Sequence, residues 1–233
     1  MHVKGGTPVK IWWMLLLFLL TAAGCSPESQ EAADSENNTV ELIFGDQEES
    51  FSASYYAEMT EEALDIFESR TYYPGSGDVD DTDLERWFIR YYIQMHEYNE
   101  NWSVNELMQL AEERVRFEEE WRSLASSRYD IEVDEEDVEE QADYNVELFE
   151  TNTPASVSGI AEGRGMTIEE FFHEFDRDHA ERTVLWERLY PVLQEEYASD
   201  EENNTVSLAQ RYTEDVLTSM QQEEAVPTLP SLP

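Results

Sequence analysis

Beyond residue 10 the chain has no lysine. Its only two are Lys4 and Lys10, and every later fixed cation is one of twelve arginines. Against these stand 54 aspartates and glutamates, for a net charge of −40. With so few cations there is no basic footprint for a polyphosphate backbone, which argues against nucleic acid as a partner. Cysteine is nearly missing as well: Cys25 is the only one, so no intramolecular disulfide can form. The longest apolar run, Ile11 to Ala23, has 13 residues and is too short to cross a hydrocarbon core of roughly 30 Å as a helix. The chain has no Gly-x-Ser-x-Gly motif, no phosphate-cradling glycine loop and no cysteine–histidine metal spacing. Nothing in it calls for a cofactor or a bound metal, and the expectation is a protein that is not an enzyme.

What is present begins at the N-terminus. Lys4 and Lys10 precede the apolar run, and Gly24 and Cys25 follow it. A basic region, an apolar region and a small-residue cleavage site in that order make an export signal. Leu20-Thr21-Ala22-Ala23-Gly24-Cys25 resembles a lipobox, with Ala22 where leucine is commoner. The resemblance implies a lipid on the Cys25 sulfur, cleavage just before it, and attachment to a membrane. The alternative is an ordinary signal peptide that happens to contain a cysteine. Residues 26–39, SPESQEAADSENNT, carry almost no large apolar group and read as a flexible tether.

Removing residues 1–24 leaves 209 residues, enough for one ordinary domain, with twelve arginines against 54 acids, hence a charge of −42. Such charge opposes compaction unless the medium tolerates it. Salt at 1 M shortens the Debye length to about 3 Å. Arginine keeps its proton at pH values where lysine, with a pKa near 10.4, loses it. The surface therefore fits saline or alkaline surroundings. With 40% of residues hydrophobic and 12% aromatic, the chain has more apolar content than a disordered acidic one.

The apolar residues fall at helical spacing. Val40 to Phe44 is a short strand or an extended lead-in. Tyr56, Met59, Ala63, Ile66 and Phe67 predict a helix over 53–70, broken by Pro74-Gly75-Ser76-Gly77. Leu84, Trp87, Phe88, Tyr91, Tyr92 and Met95 make a second stripe. Ser103 and Glu106 form a capping box for a long third helix, which should break at Ser126–Asp130. Asp134 caps a fourth, ended by Thr153-Pro154, and residues 155–163 form a short helical turn. Thr167 and Glu170 are a second capping box, opening a helix that Pro191 should kink or interrupt. Ser199–Asn204 is an acidic loop, and a last helix covers about 205–221. No internal repeat or sustained heptad is present.

His173 and His179 are six residues apart, roughly 120° around a helix from one another, so they do not make a His-Glu-x-x-His zinc face. Asp78, Asp80, Asp81 and Asp83 lack the order of a calcium loop, and Glu132–Glu140 reads as a solvated helix start where acids suit the dipole. Gly163-Arg164-Gly165 reads as a turn. Trp87, Tyr91, Tyr92, Trp102 and Trp121 are many large rings for small helices. They either pack the core or line a concave apolar patch able to hold unfolded polypeptide.

Two stretches carry a family resemblance. Residues 107–142 contain Tyr129-x-Ile131-x-Val133-x-x-Glu136-x-Val138 between two helices, and residues 160–190 contain Gly165-Met166-Thr167-x-Glu169-Glu170-Phe171 before another. In this order they resemble the N-terminal helical region of SurA-type and PrsA-type foldases, over roughly residues 40–197. Leu42 to Gly45 followed by Phe51 is a fainter match to that family's opening. The resemblance implies a chaperone-like fold that holds unfolded polypeptide, and PrsA-type proteins are themselves lipoproteins. The parvulin prolyl isomerase domain of those foldases has no counterpart here, and the Tyr129–Ile131 link lacks the family's glycine, so no isomerase activity is expected.

The resulting expectation is an all-α protein. About six helices form an irregular, partly open bundle over residues 40–222, preceded by the signal (1–24) and tether (25–39) and followed by a proline-containing tail (223–233). It would sit on the extracytoplasmic face of the cell membrane, anchored through Cys25. There it would hold newly exported or unfolded polypeptides through Trp87, Tyr91, Tyr92 and Trp121. The alternatives are an assembly lipoprotein dedicated to one envelope partner and a cation-binding surface protein.

Overall fold

The computed structural model describes residues 39–44, 47–70, 80–198 and 204–224. The lipobox with Cys25, the tether up to residue 38, the Pro74–Gly77 break, residues 199–203 of the acidic loop and the tail from 225 lie outside the described residues.

Thr39–Phe44 (β1) and Gln47–Ser52 (β2) pair antiparallel, with Thr39 opposite Ser52 and Val40 opposite Phe51. The segment read as a strand or lead-in is thus one arm of a hairpin. Phe51 turns inward and meets the Tyr55 ring at 4.8 Å. Among the described residues every later element is helical: α1 (Ala53–Ser69), α2 (Asp81–Glu97), α3 (Val104–Tyr129), α4 (Glu135–Phe149), α5 (Ala155–Arg164), the single turn α6 (Ile168–Glu170), a π-helical turn at Phe171–Phe175, α7 (Arg177–Glu196) and α8 (Thr205–Glu224). The all-α class is as expected, with more helices than six.

The helix starts follow from local chemistry. Ser52 caps α1 by accepting the Tyr55 N–H. Asp80 caps α2 by accepting the N–H groups of Thr82 (2.9 Å) and Asp83 (3.3 Å), and these bonds hold its carboxyl below the usual range. The acidic cluster after the glycines is therefore in part a helix cap. Both capping boxes form, Ser103 with Glu106 and Thr167 with Glu170. Asp134 occupies the cap position of α4, but its side chain makes no capping hydrogen bond.

Three helix ends depart from expectation. α3 continues through Ser126 to Tyr129 and stops only where Asp130 turns left-handed (φ 56°). There the Asp130 and Ile131 N–H groups close back onto Ser126 and Ala125. α7 runs through Pro191 without interruption, its Leu189 and Leu193 buried on either side of the proline. The break falls earlier. The Asp176 N–H reaches the Phe171 carbonyl at 2.8 Å, making the π turn, and the chain re-enters a helix at Arg177.

α1 and α5 lie in close contact because α5 presents Gly159 and Gly163, one helical turn apart. A Cβ on Gly159 would fall 2.2 Å from the Ala53 carbonyl oxygen. One apolar cluster joins α1, α2, the first half of α3 (Leu107, Met108, Ala111, Val115), α5 and the phenylalanines of the π turn. A second joins the later half of α3 (Phe117, Trp121, Ala125) to α7 and α8. A third and much smaller one, Val138, Ala142 and Ala180, lies between α4 and α7. α3 thus changes core within one turn, and its buried charges lie at that change.

Candidate functional site: an arginine-lined cleft

Along α3 the residues Ala111, Arg114, Glu118, Trp121 and Ala125 recur at intervals of three and four, and all five are buried. Arg114 and Glu118 thus occupy core positions between the two apolar clusters. The Arg114 side chain is 8% exposed and its Nε lies 2.6 Å from Glu118 Oε1. Arg182 of α7 reaches the same oxygen. A buried guanidinium, Arg114, and a partly buried one, Arg182, therefore share one carboxylate, itself 8% exposed.

Arg90 of α2 is differently provided. Its Nη1 bonds Asp178 at 2.5 Å. Its Nη2 bonds Asp178 at 2.8 Å, Asp176 at 3.0 Å and the Phe175 carbonyl at 3.1 Å. The π turn delivers all three acceptors, because it ends α6 and aims Phe175, Asp176 and Asp178 back at α2. Burial alone would lift the Asp178 carboxyl, yet Arg90 holds it below its ordinary range. Burial lowers Arg182 well below the ordinary guanidinium range, with repulsion from Arg114 and Arg90 adding to it, and burial lowers Arg114 as well. Arg90 is raised instead, because its two aspartates outweigh its desolvation.

These groups back onto an open cleft of about 170 Å³ lined by Asp83, Arg86, Trp87, Val115, Glu118, Arg122, Arg177, Asp178 and Glu181. Each lining acid has an arginine: Asp83 pairs with Arg86 at 2.7 Å, Glu181 with Arg122 at 3.0 Å, Asp178 with Arg90, and Glu118 with Arg114 and Arg182. Arg177 turns away to Glu135 and Glu139 of α4. Six of the twelve arginines therefore either line the cleft or contact a residue that does, in a chain of net charge −40. Trp87 forms one wall, with the Arg90 and Arg114 guanidiniums each 4.5 Å from its ring centre.

The four rings expected to hold polypeptide do not form one surface. Trp87 is 7% exposed and touches Tyr91 at 6.0 Å beside the cleft, while Tyr91 is half-buried. Burial raises the Tyr91 phenol above its usual pKa. Tyr92 is buried on the other side of α2, where its ring stacks on Phe88 and its hydroxyl donates to Glu62 at 3.0 Å. Trp121 is 2% exposed in the second cluster, against Tyr212. The four rings therefore do not make one exposed aromatic groove: Tyr92 and Trp121 pack in the core, Trp87 is mostly buried at the cleft wall, and Tyr91 stays partly exposed beside it. His173 meets Asp143 at 3.0 Å and Glu139 at 3.3 Å, joining the π turn to α4. Among the described residues no group of three or more His, Cys, Asp or Glu is arranged to hold a metal ion, and no helix is long and apolar enough to cross a membrane. No family model, curated protein or solved structure matches the chain.

Proposed function

We propose that the protein is a non-catalytic lipoprotein, anchored through Cys25 on the extracytoplasmic face of the membrane, whose helical domain holds exported polypeptide in a chaperone-like manner. The observation that carries the placement is the run Leu20–Cys25 followed by a polar tether. Support for the holding role comes from the all-α architecture, its opening hairpin and the motif order shared with SurA-type and PrsA-type foldases. With Trp87, Tyr92 and Trp121 in the core, contact with a client falls to the apolar side chains left outside. The most exposed are Tyr144 (57%) and Leu148 (54%), one turn apart on α4.

A second reading, an assembly lipoprotein dedicated to one folded envelope partner, is favoured by the dispersion of the other exposed apolar residues. Tyr98, Val104, Val192 and Val206 lie at or on different elements, at the end of α2 and on α3, α7 and α8. Light scattering of an aggregating secreted protein, near pH 9 in salt-rich buffer, separates the two. Suppression at near-stoichiometric ratio, lost in Tyr144→Ser/Leu148→Ser with the fold intact, supports holding. No suppression by the folded protein across salt and pH sinks the chaperone reading in favour of the dedicated partner. Anchoring is tested apart from both: Cys25→Ser should move the protein out of the membrane fraction.

A further inference from the structure

The turn between α2 and α3 is held in one shape by its own backbone. The Tyr98 N–H closes onto the Gln94 carbonyl, Asn99 turns left-handed (φ 49°), and the Glu100 N–H reaches back to the Met95 carbonyl at 2.8 Å. The Trp102 N–H meets the Met95 sulfur at 3.2 Å, and the Ser103–Glu106 capping box fixes the start of α3. This geometry leaves Tyr98 and Val104 each 41% exposed, on either side of the half-buried Trp102. From Tyr98 to Asn105 the chain carries three asparagines, one acid (Glu100) and no cation. The flanking carboxylates are engaged within the domain: Glu97 accepts the Tyr56 hydroxyl at 2.6 Å, and Glu106 accepts the Ser103 N–H at 2.7 Å. The other exposed apolar pair, Tyr144 and Leu148, sits instead on a helix with seven carboxylates.

The chain runs toward Cys25 from this same end of the domain. Thr39 pairs with Ser52, which caps α1, and one turn later Tyr56 bonds Glu97 at the end of α2. Thr39 lies 14 residues beyond Cys25, and a chain of that length spans about 20 Å as a random coil. α3 alone, at 26 residues, is about 39 Å long. A lipid on Cys25 therefore brings this end of the domain to the bilayer before the far end of α3. We propose that the α2–α3 turn docks on the membrane interface, with Tyr98, Trp102 and Val104 seated at the headgroup level of the bilayer that holds the lipid on Cys25. Tyrosine and tryptophan suit that boundary, because each joins an apolar body to one polar group for the wet side. Asparagines rather than charges surround them, so little has to be desolvated. The tether makes the contact intramolecular, and a small patch then suffices. The domain's twelve arginines against 54 acids oppose approach to anionic headgroups until salt screens them. This inference rests on the reading of Cys25 as a lipid anchor and is independent of the holding of polypeptide.

The test reconstitutes the protein, extracted from cells in nonionic detergent, into phosphatidylcholine vesicles in sodium chloride at about 1 M, where the Debye length is about 3 Å. Flotation reports the anchor, and quenching of tryptophan emission by brominated phosphatidylcholine reports the turn. Four tryptophans follow Cys25, of which Trp87 and Trp121 are buried and Trp186 packs on the second cluster. The expected result is flotation with partial quenching, and loss of that quenching in Trp102→Phe. Tyr98→Ser/Val104→Ser keeps the fluorophore. It should still float, with unchanged helicity by circular dichroism, and lose most of the quenching. Flotation without quenching, or quenching that persists at full strength in Trp102→Phe, would overturn the docking, leave the anchor standing and turn the patch over to a protein partner. Quenching unchanged in Tyr98→Ser/Val104→Ser would overturn it too, because the tether alone would then bring Trp102 to the lipid. Failure to float would remove the anchor, and the docking with it.

Discussion

The hydroxyl of Tyr212 donates a 2.7 Å hydrogen bond to the backbone carbonyl of Trp121, and the two rings meet edge to face at 4.6 Å and 88°. This contact helps dock α8 on α3, together with the apolar cluster of Phe117, Ala125, Leu208 and Val216. It also defines Trp121 as a core residue, since a ring locked between helices in this way is not free to receive a client. Tyr212→Phe keeps the ring and removes the hydrogen bond, and should cost about 1 kcal/mol. Trp121→Ala empties the second cluster and should cost about 3–5 kcal/mol. Urea denaturation of both variants checks the ranking. Equal losses would mean that the ring contributes no more than its partner's hydroxyl.

How much of this was legible in the sequence can be judged along α3. The capping box at Ser103 and the stripe Leu107, Ala111, Val115, Trp121 announce the helix and its buried face. The same three- and four-residue series also carries Arg114 and Glu118. Charges on an apolar stripe were the available signal of the site, and it was hidden by a chain in which carboxylates occur everywhere. Arg90, Arg182 and Asp178 gave no such signal. They converge through the π turn and through α7 returning across α2 and α3, and helical periodicity carries no information about which helices meet. The uninterrupted run of α7 past Pro191 was illegible for a related reason: burial of Leu189 and Leu193 on both sides offsets the lost backbone hydrogen bond.

Gly159 and Gly165 differ in kind, and the same substitution separates them. Gly159→Ala places a methyl 2.2 Å from the Ala53 carbonyl oxygen and 2.5 Å from the Tyr56 Cβ, so α5 must move off α1. An overpacking loss of about 1–3 kcal/mol or more is expected. Gly165→Ala meets nothing within 4 Å, but its φ of +67° is left-handed, and the loss should be about 1 kcal/mol. Hydrogen exchange distinguishes the two mechanisms. Gly159→Ala should deprotect both α1 and α5, whereas Gly165→Ala should fray only the end of α5.

Alkaline stability has a direction fixed by buried phenols. Burial, with the hydrogen bond to Glu62 added, pushes Tyr92 up to about 12. Burial, with the hydrogen bond to Glu97 added, pushes Tyr56 higher still, and burial also raises Tyr129 and Tyr212. A phenol with a raised folded pKa keeps its proton in the native state after the unfolded chain has released its own near 10. The unfolded state then binds fewer protons, so stability falls as pH climbs from about 10 toward the folded values. Arginine surfaces keep their charge across that range, so the tyrosines should set the alkaline limit. In denaturant melts at pH 9, 10, 11 and 12, the loss should begin near pH 10 and be shallower in Tyr92→Phe than in the wild type. A flat profile to pH 12 would contradict this assignment.

Salt acts on α4 in two opposing ways, and magnitude decides between them. α4 carries seven carboxylates and no cation, and its apolar base is small: Val138 and Ala142 against Ala180, with Val146 and Phe149 packed on the first cluster. It is held by Arg177 to Glu135 (2.5 Å) and Glu139 (3.3 Å), by Arg188 to Asp137 (2.5 Å) and by His173. Exposed pairs of this kind contribute about 0.2–1 kcal/mol each and weaken as salt rises. The self-repulsion of a chain at −40 is screened by the same salt, as the Debye length falls from about 30 Å at 0.01 M to about 3 Å at 1 M. A few weak pairs are outnumbered by the like charges around them, so Tm should rise steadily with sodium chloride. Arg188→Ala should lower Tm most at 0.01 M and progressively less toward 1 M, because the pair it removes is itself being screened. If Arg188→Ala costs the same at both ends of the series, its contribution lies in the packing of its carbon stem against α4 rather than in charge.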